Sequence, residues 1–199
     1  LSEKGIEDGT RMTPFEKRGE LKDGVSVWIG ESKPFTATGG NYHQFWSAKQ
    51  LISYGLGFGQ NTYSETLAQI SYKTNFSSVM ASFDFAYFPF EYFPVSFSAG
   101  ASFGFVDGKI KNADLIKTGL ADLSGSYERY QFVFYSSLGF TNILSGGYFF
   151  GAELVGISQA LLLGGADTEL DAEFQERIDD ALGSLRVNPP LNITFGKFF

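Results

Sequence analysis

Val95–Phe105 reads VSFSAGASFGF and carries the clearest signal of the architecture. Every second position holds valine, phenylalanine or alanine, and every position between them holds serine or glycine. This period of two predicts a β-strand with one apolar face and one face of small residues. If the second face met water it would be expected to carry charged side chains, and it has none. Small residues suit the inside of a tightly curved wall, so the apolar face is predicted to point outward into lipid.

The same alternation recurs along the chain, in Leu51–Gln60 and in Gln131–Phe140 among other places. A series of such strands is the sequence pattern of a transmembrane β-barrel, in which every backbone polar group is paired within the closed sheet. The side chains predicted to face lipid include Ile52, Tyr54, Phe83, Phe85, Phe97 and Phe134.

The composition narrows the possible functions. The chain has 199 residues and a net charge of −7, so a nucleic-acid partner is not expected. It has no cysteine and a single histidine, His43, which excludes zinc–thiolate and multi-histidine metal sites. No metal and no cofactor are predicted. The segment Leu1–Lys4 has no apolar core, so an exported chain would already have lost its signal peptide.

The pattern predicts an all-β protein, an eight-stranded antiparallel transmembrane β-barrel. The connections after the second, fourth and sixth predicted strands are short, and those after the first, fifth and seventh are long. This difference fits short periplasmic turns and long outer loops. The predicted strands are Gly24–Ser32, Lys49–Gln60, Tyr63–Phe76, Ser78–Phe88, Phe93–Val106, Tyr127–Thr141, Gly147–Gln159 and Leu191–Phe199.

The last predicted strand carries a resemblance to a known group of proteins. Leu191–Phe199 reads LNITFGKFF, alternates, and ends on two aromatic residues. It resembles the terminal strand of bacterial outer-membrane proteins, and the chain resembles the small eight-stranded group that includes OmpX, the barrel of OmpA and OmpW. Lys197 departs from that pattern, which prefers an apolar or aromatic residue there. A lysine near the membrane edge can extend its ammonium group to water, so the departure is tolerable.

The resemblance implies a location and two partners. The protein would be integral to the bacterial outer membrane, in contact with its lipid, after export with a signal peptide that has since been removed. In that superfamily the assembly machinery reads the terminal strand. The resemblance therefore gives an assembly role to Phe195, Phe198 and Phe199.

The barrel domain is predicted to span residues 23–199, and two segments are predicted to lie outside the barrel wall, one before this domain and one in a loop within it. Residues 1–22 are polar and carry both signs of charge, so we expect a periplasmic arm, with a plug inside the lumen as the alternative. Thr168–Arg186 is predicted to be a short amphipathic helix in the loop between the seventh and eighth strands. Its apolar stripe would rest on the rim or dock a protein partner at the outer loops. The stripe consists of Leu170, Phe174, Ile178 and Leu182.

The inward face of the barrel is predicted to hold few polar groups, which must pair with one another or hold water. A barrel of this size is about filled by its own side chains, which disfavours an open channel. The many inward glycines and serines nevertheless leave space for larger inward side chains or a small ligand. The large side chains predicted to fill the lumen are Trp28, Met80, Tyr135 and Phe149. The predicted polar residues of the lumen are Gln69, Lys73, Asp84, Gln131 and Glu153.

Three functions are compatible with these features. The first expectation is a non-enzymatic outer-membrane barrel that acts as a structural or docking subunit at the cell surface through its outer loops. The second is a narrow porin-like barrel that passes or binds small or hydrophobic molecules. The third is a lipid-modifying enzyme, since His43 is predicted to lie in the first outer loop and some small barrels use a histidine near the outer rim. Sequence spacing brings no serine and acid to His43, so no catalysis is expected.

Overall fold

The computed structural model describes residues 12–32, 35–67, 70–112, 124–163, 176, 179–180, 186–188 and 192–199. Within them, a short α-helix precedes nine strands, a 3-10 turn, Ser145–Gly147, precedes β7, and residues 176, 179 and 180 are also helical. The elements are α1 (Pro14–Glu20), β1 (Asp23–Ser32), β2 (Phe35–Ser47), β3 (Gln50–Leu67), β4 (Ile70–Tyr87), β5 (Val95–Asn112), β6 (Ser124–Ile143), β7 (Tyr148–Leu163), β8 (Arg186–Asn188) and β9 (Asn192–Phe198).

Eight of the strands form one closed ring. Each strand from β1 to β7 pairs antiparallel with the next, and β9 pairs antiparallel with both β7 and β1. The three-residue strand β8 adds only to β7, opposite Gly156–Ser158. The predicted eight-stranded antiparallel barrel is therefore confirmed as an architecture.

The two ends of the barrel differ in their connections. We call the lower end the one that carries the turns Ala48–Lys49, 88–94 and 144–147. At the opposite, upper end, β3 to β6 are 18 to 20 residues long, well beyond the roughly 9–11 residues that a tilted strand needs to cross a bilayer. The side chains of a strand that point out of the ring form its outer row. The outer row of β4 becomes polar at the upper end, since Lys73, Asn75 and Ser77 are all exposed. The long strands therefore extend past the apolar band of the wall.

The apolar band covers the outside of the ring, as the alternation predicted. Tyr54, Phe83, Phe97 and Phe134 are between 46% and 53% exposed, although they are large and apolar. On the same outer rows, Phe85 is partly covered and Ile52 is largely covered. A water-exposed surface of this kind would be costly, whereas lipid solvates it.

The segment Phe35–Ser47 corrects the strand assignment, because it was predicted to be an outer loop and forms β2. Its register with β1 and β3 is continuous apart from one bulge between Phe45 and Ser47. Glycines at positions 39 and 40 weakened the strand signal, since glycine is disfavoured in a strand unless a neighbour approaches closely.

The second correction concerns the predicted strand Tyr63–Phe76, which is the end of the β3–β4 hairpin instead. Tyr63 pairs with Thr74 in a register that runs unbroken from one end of the hairpin to the other. Asn61 and Thr62 were predicted as a turn, but they lie within β3. These two polar residue types, which are common in turns, are tolerated in the strand because this part of the hairpin lies beyond the apolar band. One strand was missed and one hairpin was divided into three, so the total of eight stayed the same.

The helix whose bounds are described, α1, lies near the N-terminus and not at the predicted position between the last two barrel strands. Within the predicted segment, the described residues Glu176, Asp179 and Asp180 are helical. Thr13 begins α1 with a capping box, in which its hydroxyl accepts from the Glu16 amide and the Glu16 carboxylate accepts from the Thr13 amide. The predicted stripe of Leu170, Phe174, Ile178 and Leu182 lies outside the described residues. None of the described helices has the length and hydropathy of a membrane span.

Candidate functional site

An apolar layer closes the barrel at its lower end. We call it the floor, and its rings are Phe45, Phe88, Phe149 and Phe198, none more than 9% exposed. The rings of Phe149 and Phe198 stack with centroids 4.3 Å apart, and Phe45 lies 4.9 Å from Phe198. Each ring comes from an inward position at the lower end of its strand or turn. At this level large side chains lie on both faces of the wall, since Trp46, Tyr148 and Phe199 next to the floor residues are exposed outside.

The helix α1 lies beneath the floor, across the mouth of the barrel. Arg18 is 1% exposed, and its guanidinium lies 4.4 Å from the centre of the Phe88 ring. It donates hydrogen bonds to the carbonyl oxygens of Ala48 (2.7 Å) and Phe90 (3.1 Å). Lys17 donates to the carbonyl of Ile143 at 2.9 Å. The helix therefore contacts all three lower turns or the strand ends beside them.

Burial determines the electrostatic surroundings of Arg18 at the contact between α1 and the lower turns, which we call the seat of α1. Removal from water lowers the pKa of the Arg18 guanidinium from its ordinary value. Its partners are carbonyl dipoles and the face of an aromatic ring, and its Nη1 atom has no hydrogen-bond partner in the described part of the chain. A charge held in this way is satisfied only in part.

His43 lies directly above the floor, with Ser26 and Ser53 on its two sides. Its Nε2 is 2.7 Å from the Ser26 hydroxyl and its Nδ1 is 2.7 Å from the Ser53 hydroxyl. A neutral imidazole donates at one nitrogen and accepts at the other, and a serine hydroxyl can serve either role. The ring also meets Phe149 edge-on at 5.4 Å. His43 thus joins three neighbouring strands inside the barrel and is 5% exposed, so it does not lie in an outer loop.

A cavity of about 230 Å³ occupies the lumen above His43. It is bounded by large side chains, Trp28, Met80 and Tyr135, and by serines from several strands. Two carboxylates, Asp84 and Glu153, belong to the same lining, and no lysine or arginine of the described chain does.

Each of the two carboxylates is tied to the wall by neutral donors. Tyr135 donates its hydroxyl hydrogen to Asp84. Glu153 accepts from the Ser137 hydroxyl at 3.1 Å and from the Asn192 amide at 2.6 Å. None of these donors is a cation, so neither carboxylate is paired with a positive charge of the described chain.

A second closure lies at the upper end. The inward side chains Phe76, Val106 and Tyr127 are each at most 4% exposed. Asp179, from the segment between β7 and β8, accepts hydrogen bonds from the Tyr127 hydroxyl at 2.7 Å and from the Arg129 guanidinium at 3.0 Å. In the described part of the chain, these residues of β4, β5 and β6 form a second packed layer, the upper layer, and the cavity lies between it and the floor.

Comparison with known proteins supports the fold. No family model and no curated protein matches the sequence. Among solved structures, the chain is similar to CarO and CarO2 of Acinetobacter baumannii, with 12% and 13% sequence identity and a TM-score of 0.52 for each. These alignments cover 91% and 90% of this chain and 99% of each of those chains. The chain has the fold of a small outer-membrane β-barrel. Neisserial surface protein A aligns over 90% of this chain and 96% of its own, with 10% identity and a TM-score of 0.39.

The barrel places the residues predicted for its lumen in three different situations. Asp84 and Glu153 line the cavity, and Gln131 lies on the inner row of β6, 8% exposed. Lys73 is exposed on the outer row of β4, which corrects its prediction as a lumen residue. The error follows from the wrong hairpin position, because the period of two was counted across a turn that does not exist. Gln69 lies outside the described residues.

The barrel separates the three aromatic residues of the terminal strand. Phe195 and Phe199 point outward and are 56% and 66% exposed, whereas Phe198 belongs to the floor. Lys197 is exposed on the outer row, with its ammonium group 4.9 Å from the centre of the Tyr148 ring. A role of these residues in assembly stays a prediction.

Sequence analysis missed the contributions of Arg18 and of the serines around His43. A signal for Arg18 was present, since Thr13-Pro14 followed by Glu16 is a helix start with a capping box. No local signal places His43 between Ser26 and Ser53, because that arrangement depends on the register of three strands.

Proposed function

We propose that the chain is an integral outer-membrane barrel that takes a small polar solute into its internal cavity, as a narrow gated barrel rather than an open pore. The observation that carries the proposal is the cavity of about 230 Å³ between the floor and the upper layer. Its volume lies below the range of about 300–1,000 Å³ that is usual for drug-sized ligands. The solute would therefore be small.

The charge of the lining defines the class of solute. Asp84 and Glu153 contribute carboxylates, and the aromatic faces of Trp28 and Tyr135 are also favourable surroundings for a cation. The serines offer hydrogen bonds to a neutral polar solute. Small cations and neutral polar molecules are thus favoured over anions of the same size.

The orientation in the membrane follows the connections. The short turns lie at the lower end, and in outer-membrane barrels such turns face the periplasm. The upper end, with its long polar strand extensions, would then face the outside of the cell.

The test is solute uptake into liposomes that contain the purified barrel. Guanidinium, urea and acetate are probes of similar size and different charge. We expect uptake of guanidinium and urea above that of acetate, and loss of the guanidinium preference in the double variant Asp84→Asn, Glu153→Gln. Glu128→Gln is the matched control, because it removes a carboxylate from the exposed outer row. Absence of uptake, or a preference that survives the double variant, would count against the proposal.

A docking role at the cell surface depends on the predicted helix Thr168–Arg186, whose stripe lies outside the described residues. It remains a prediction, and replacement of that segment by a glycine–serine linker, followed by a search for lost complexes, would test it. The hypothesis of a lipid-modifying enzyme depended on a histidine at the outer rim. His43 lies inside the barrel above the floor instead, so this support for the hypothesis is lost.

A further inference from the structure

We propose that α1 is a lid on the lower mouth of the barrel, and that its release from the three lower turns opens the lumen on that side. The inference rests on the proposed function, because a lid matters only if solutes enter the cavity. It goes beyond that function by naming the element that controls access and the residue that holds it closed, Arg18.

The position of α1 is the first argument. Arg18 lies on the outer side of the floor and covers the ring of Phe88, which is 0% exposed. Leu21, directly after the helix, is 7% exposed and packs into the floor itself. Departure of α1 would take Leu21 out of the layer and remove the contact that holds the Phe88 ring. The floor and the helix therefore close the mouth as one unit.

The second argument is that the seat holds α1 by a small number of reversible contacts. The Phe15 amide donates to the Glu91 carbonyl at 3.2 Å, Lys17 donates to Ile143, and Arg18 donates to two carbonyls. In the part of the chain that the structure describes, no carboxylate forms an ion pair with Arg18. Burial of a cation without a countercharge offsets part of the stabilisation that the two hydrogen bonds of Arg18 and its contact with Phe88 provide. The docked state of α1 is therefore only modestly favoured.

The third argument is the hinge. Beyond Leu21, the Lys22 carbonyl accepts a hydrogen bond of 2.7 Å from the Phe45 amide, and β1 begins at Asp23. The chain is thus fixed to the wall immediately after α1. The helix can leave its seat by rotation about Leu21 and Lys22, and no strand pairing of the ring has to break.

The geometry also allows α1 to be fixed in its docked position by an engineered, reducible disulfide. A Cβ atom on Gly19 would lie 3.8 Å from the Cβ of Ala48, which is the usual separation of about 3.8 Å in a disulfide. The chain has no cysteine, so the double variant Gly19→Cys, Ala48→Cys would hold a single pair of thiols. Oxidation would fix α1 to the β2–β3 turn, and reduction would free it again in the same molecule.

The first experiment measures uptake of guanidinium by liposomes that contain this double variant. Copper–phenanthroline forms the disulfide and dithiothreitol reduces it, and the wild-type chain receives the same treatments as the control. We expect uptake near the level of empty liposomes in the oxidised form and recovery on reduction. Equal uptake in the two forms, at a level above that of empty liposomes, would overturn the lid, while the proposed function would stand.

The second experiment does not depend on uptake. Ser102 is 8% exposed and lines the cavity, so Ser102→Cys places a thiol inside the lumen. We measure its rate of modification by a charged thiol reagent in detergent, with and without Arg18→Ala. Loss of a buried donor that makes two hydrogen bonds should raise the population of the open form, and with it the rate, by about tenfold or more.

Glu20→Ala is the control for the second experiment, because Glu20 is exposed in the same helix. Equal rates of thiol modification in Ser102→Cys with Arg18 present and with Arg18→Ala would overturn the lid. Fast modification in the Arg18→Ala background together with no uptake in any form would keep the lid and reject the proposed function.

Discussion

The indole of Trp28 on β1 lies against Gly39 on β2, its partner in the strand register. A Cβ atom at Gly39 would come within 2.7 Å of the indole and within 2.3 Å of the Leu56 carbonyl oxygen. Trp28 can fill the lumen beside the cavity only because its neighbour has no side chain. Gly39 also weakened the strand signal of β2 in the sequence. The contact between Gly39 and Trp28 thus explains both the packing of the indole and the failure to predict β2.

Replacement of Gly39 by alanine should destabilise the barrel. The added methyl group meets a backbone carbonyl that cannot turn aside, and overpacking of this kind costs about 1–3 kcal/mol. Gly40→Ala is the matched control, since its Cβ would meet only the Ser26 carbonyl at 3.4 Å. Urea titrations of both variants in lipid vesicles would measure the difference. A Gly39→Ala barrel as stable as the control would show that Trp28 is not fixed in this position.

Placement of arginine at Phe134 tests the outward apolar face. Phe134 is 50% exposed on the outer row of β6, opposite Ala101 in the middle of β5. An arginine at the midplane of the bilayer should lower the free energy of unfolding by about 2–4 kcal/mol. Ser77→Arg, on the polar extension of β4, should change it little. The folded fraction in vesicles is the measurement, and equal effects of the two variants would argue against a lipid-facing Phe134.

Loss of the Asp179 carboxylate should loosen the upper closure. Arg129 is 5% exposed and has Asp179 as its ion-pair partner at 3.0 Å. Asp179→Asn leaves a buried guanidinium without its countercharge, for which we expect a loss of about 1–3 kcal/mol. Asp180→Asn is the control, because Asp180 is the exposed neighbour. Urea midpoints that shift equally in both variants would mean that the ion pair contributes nothing specific.

The two terminal phenylalanines should have separable effects. Phe198 is 1% exposed in the floor, so Phe198→Ala should lower the stability of the folded barrel by about 3–5 kcal/mol. Phe199 is 66% exposed, and its replacement by alanine should leave that stability nearly unchanged. If the terminal aromatic residue is read during assembly, Phe199→Ala should still reduce the amount of barrel in the outer membrane. Refolding of purified chain and cell fractionation would measure the two effects separately.

The architecture could be predicted because its signal is local. Val95–Phe105 alternates large apolar and small residues within one strand, and this pattern alone requires an outer face in lipid and a narrow interior. The capping box around Thr13 is equally local, although the prediction of a polar periplasmic arm for residues 1–22 made no use of it.

The strand boundaries and the site required the tertiary structure. Asn61-Thr62 has turn-forming residues but pairs with the neighbouring strand β4 in an unbroken register. Gly39 lies in a strand where a side chain would collide with Trp28. Asp84 and Tyr135 are far apart in sequence and meet only when β4, β5 and β6 stand side by side. The kind of wall could be inferred from the sequence, since alternation is a property of neighbouring residues. Register, closure at both ends and the contents of the lumen were decided by contacts between residues that only the closed ring brings together.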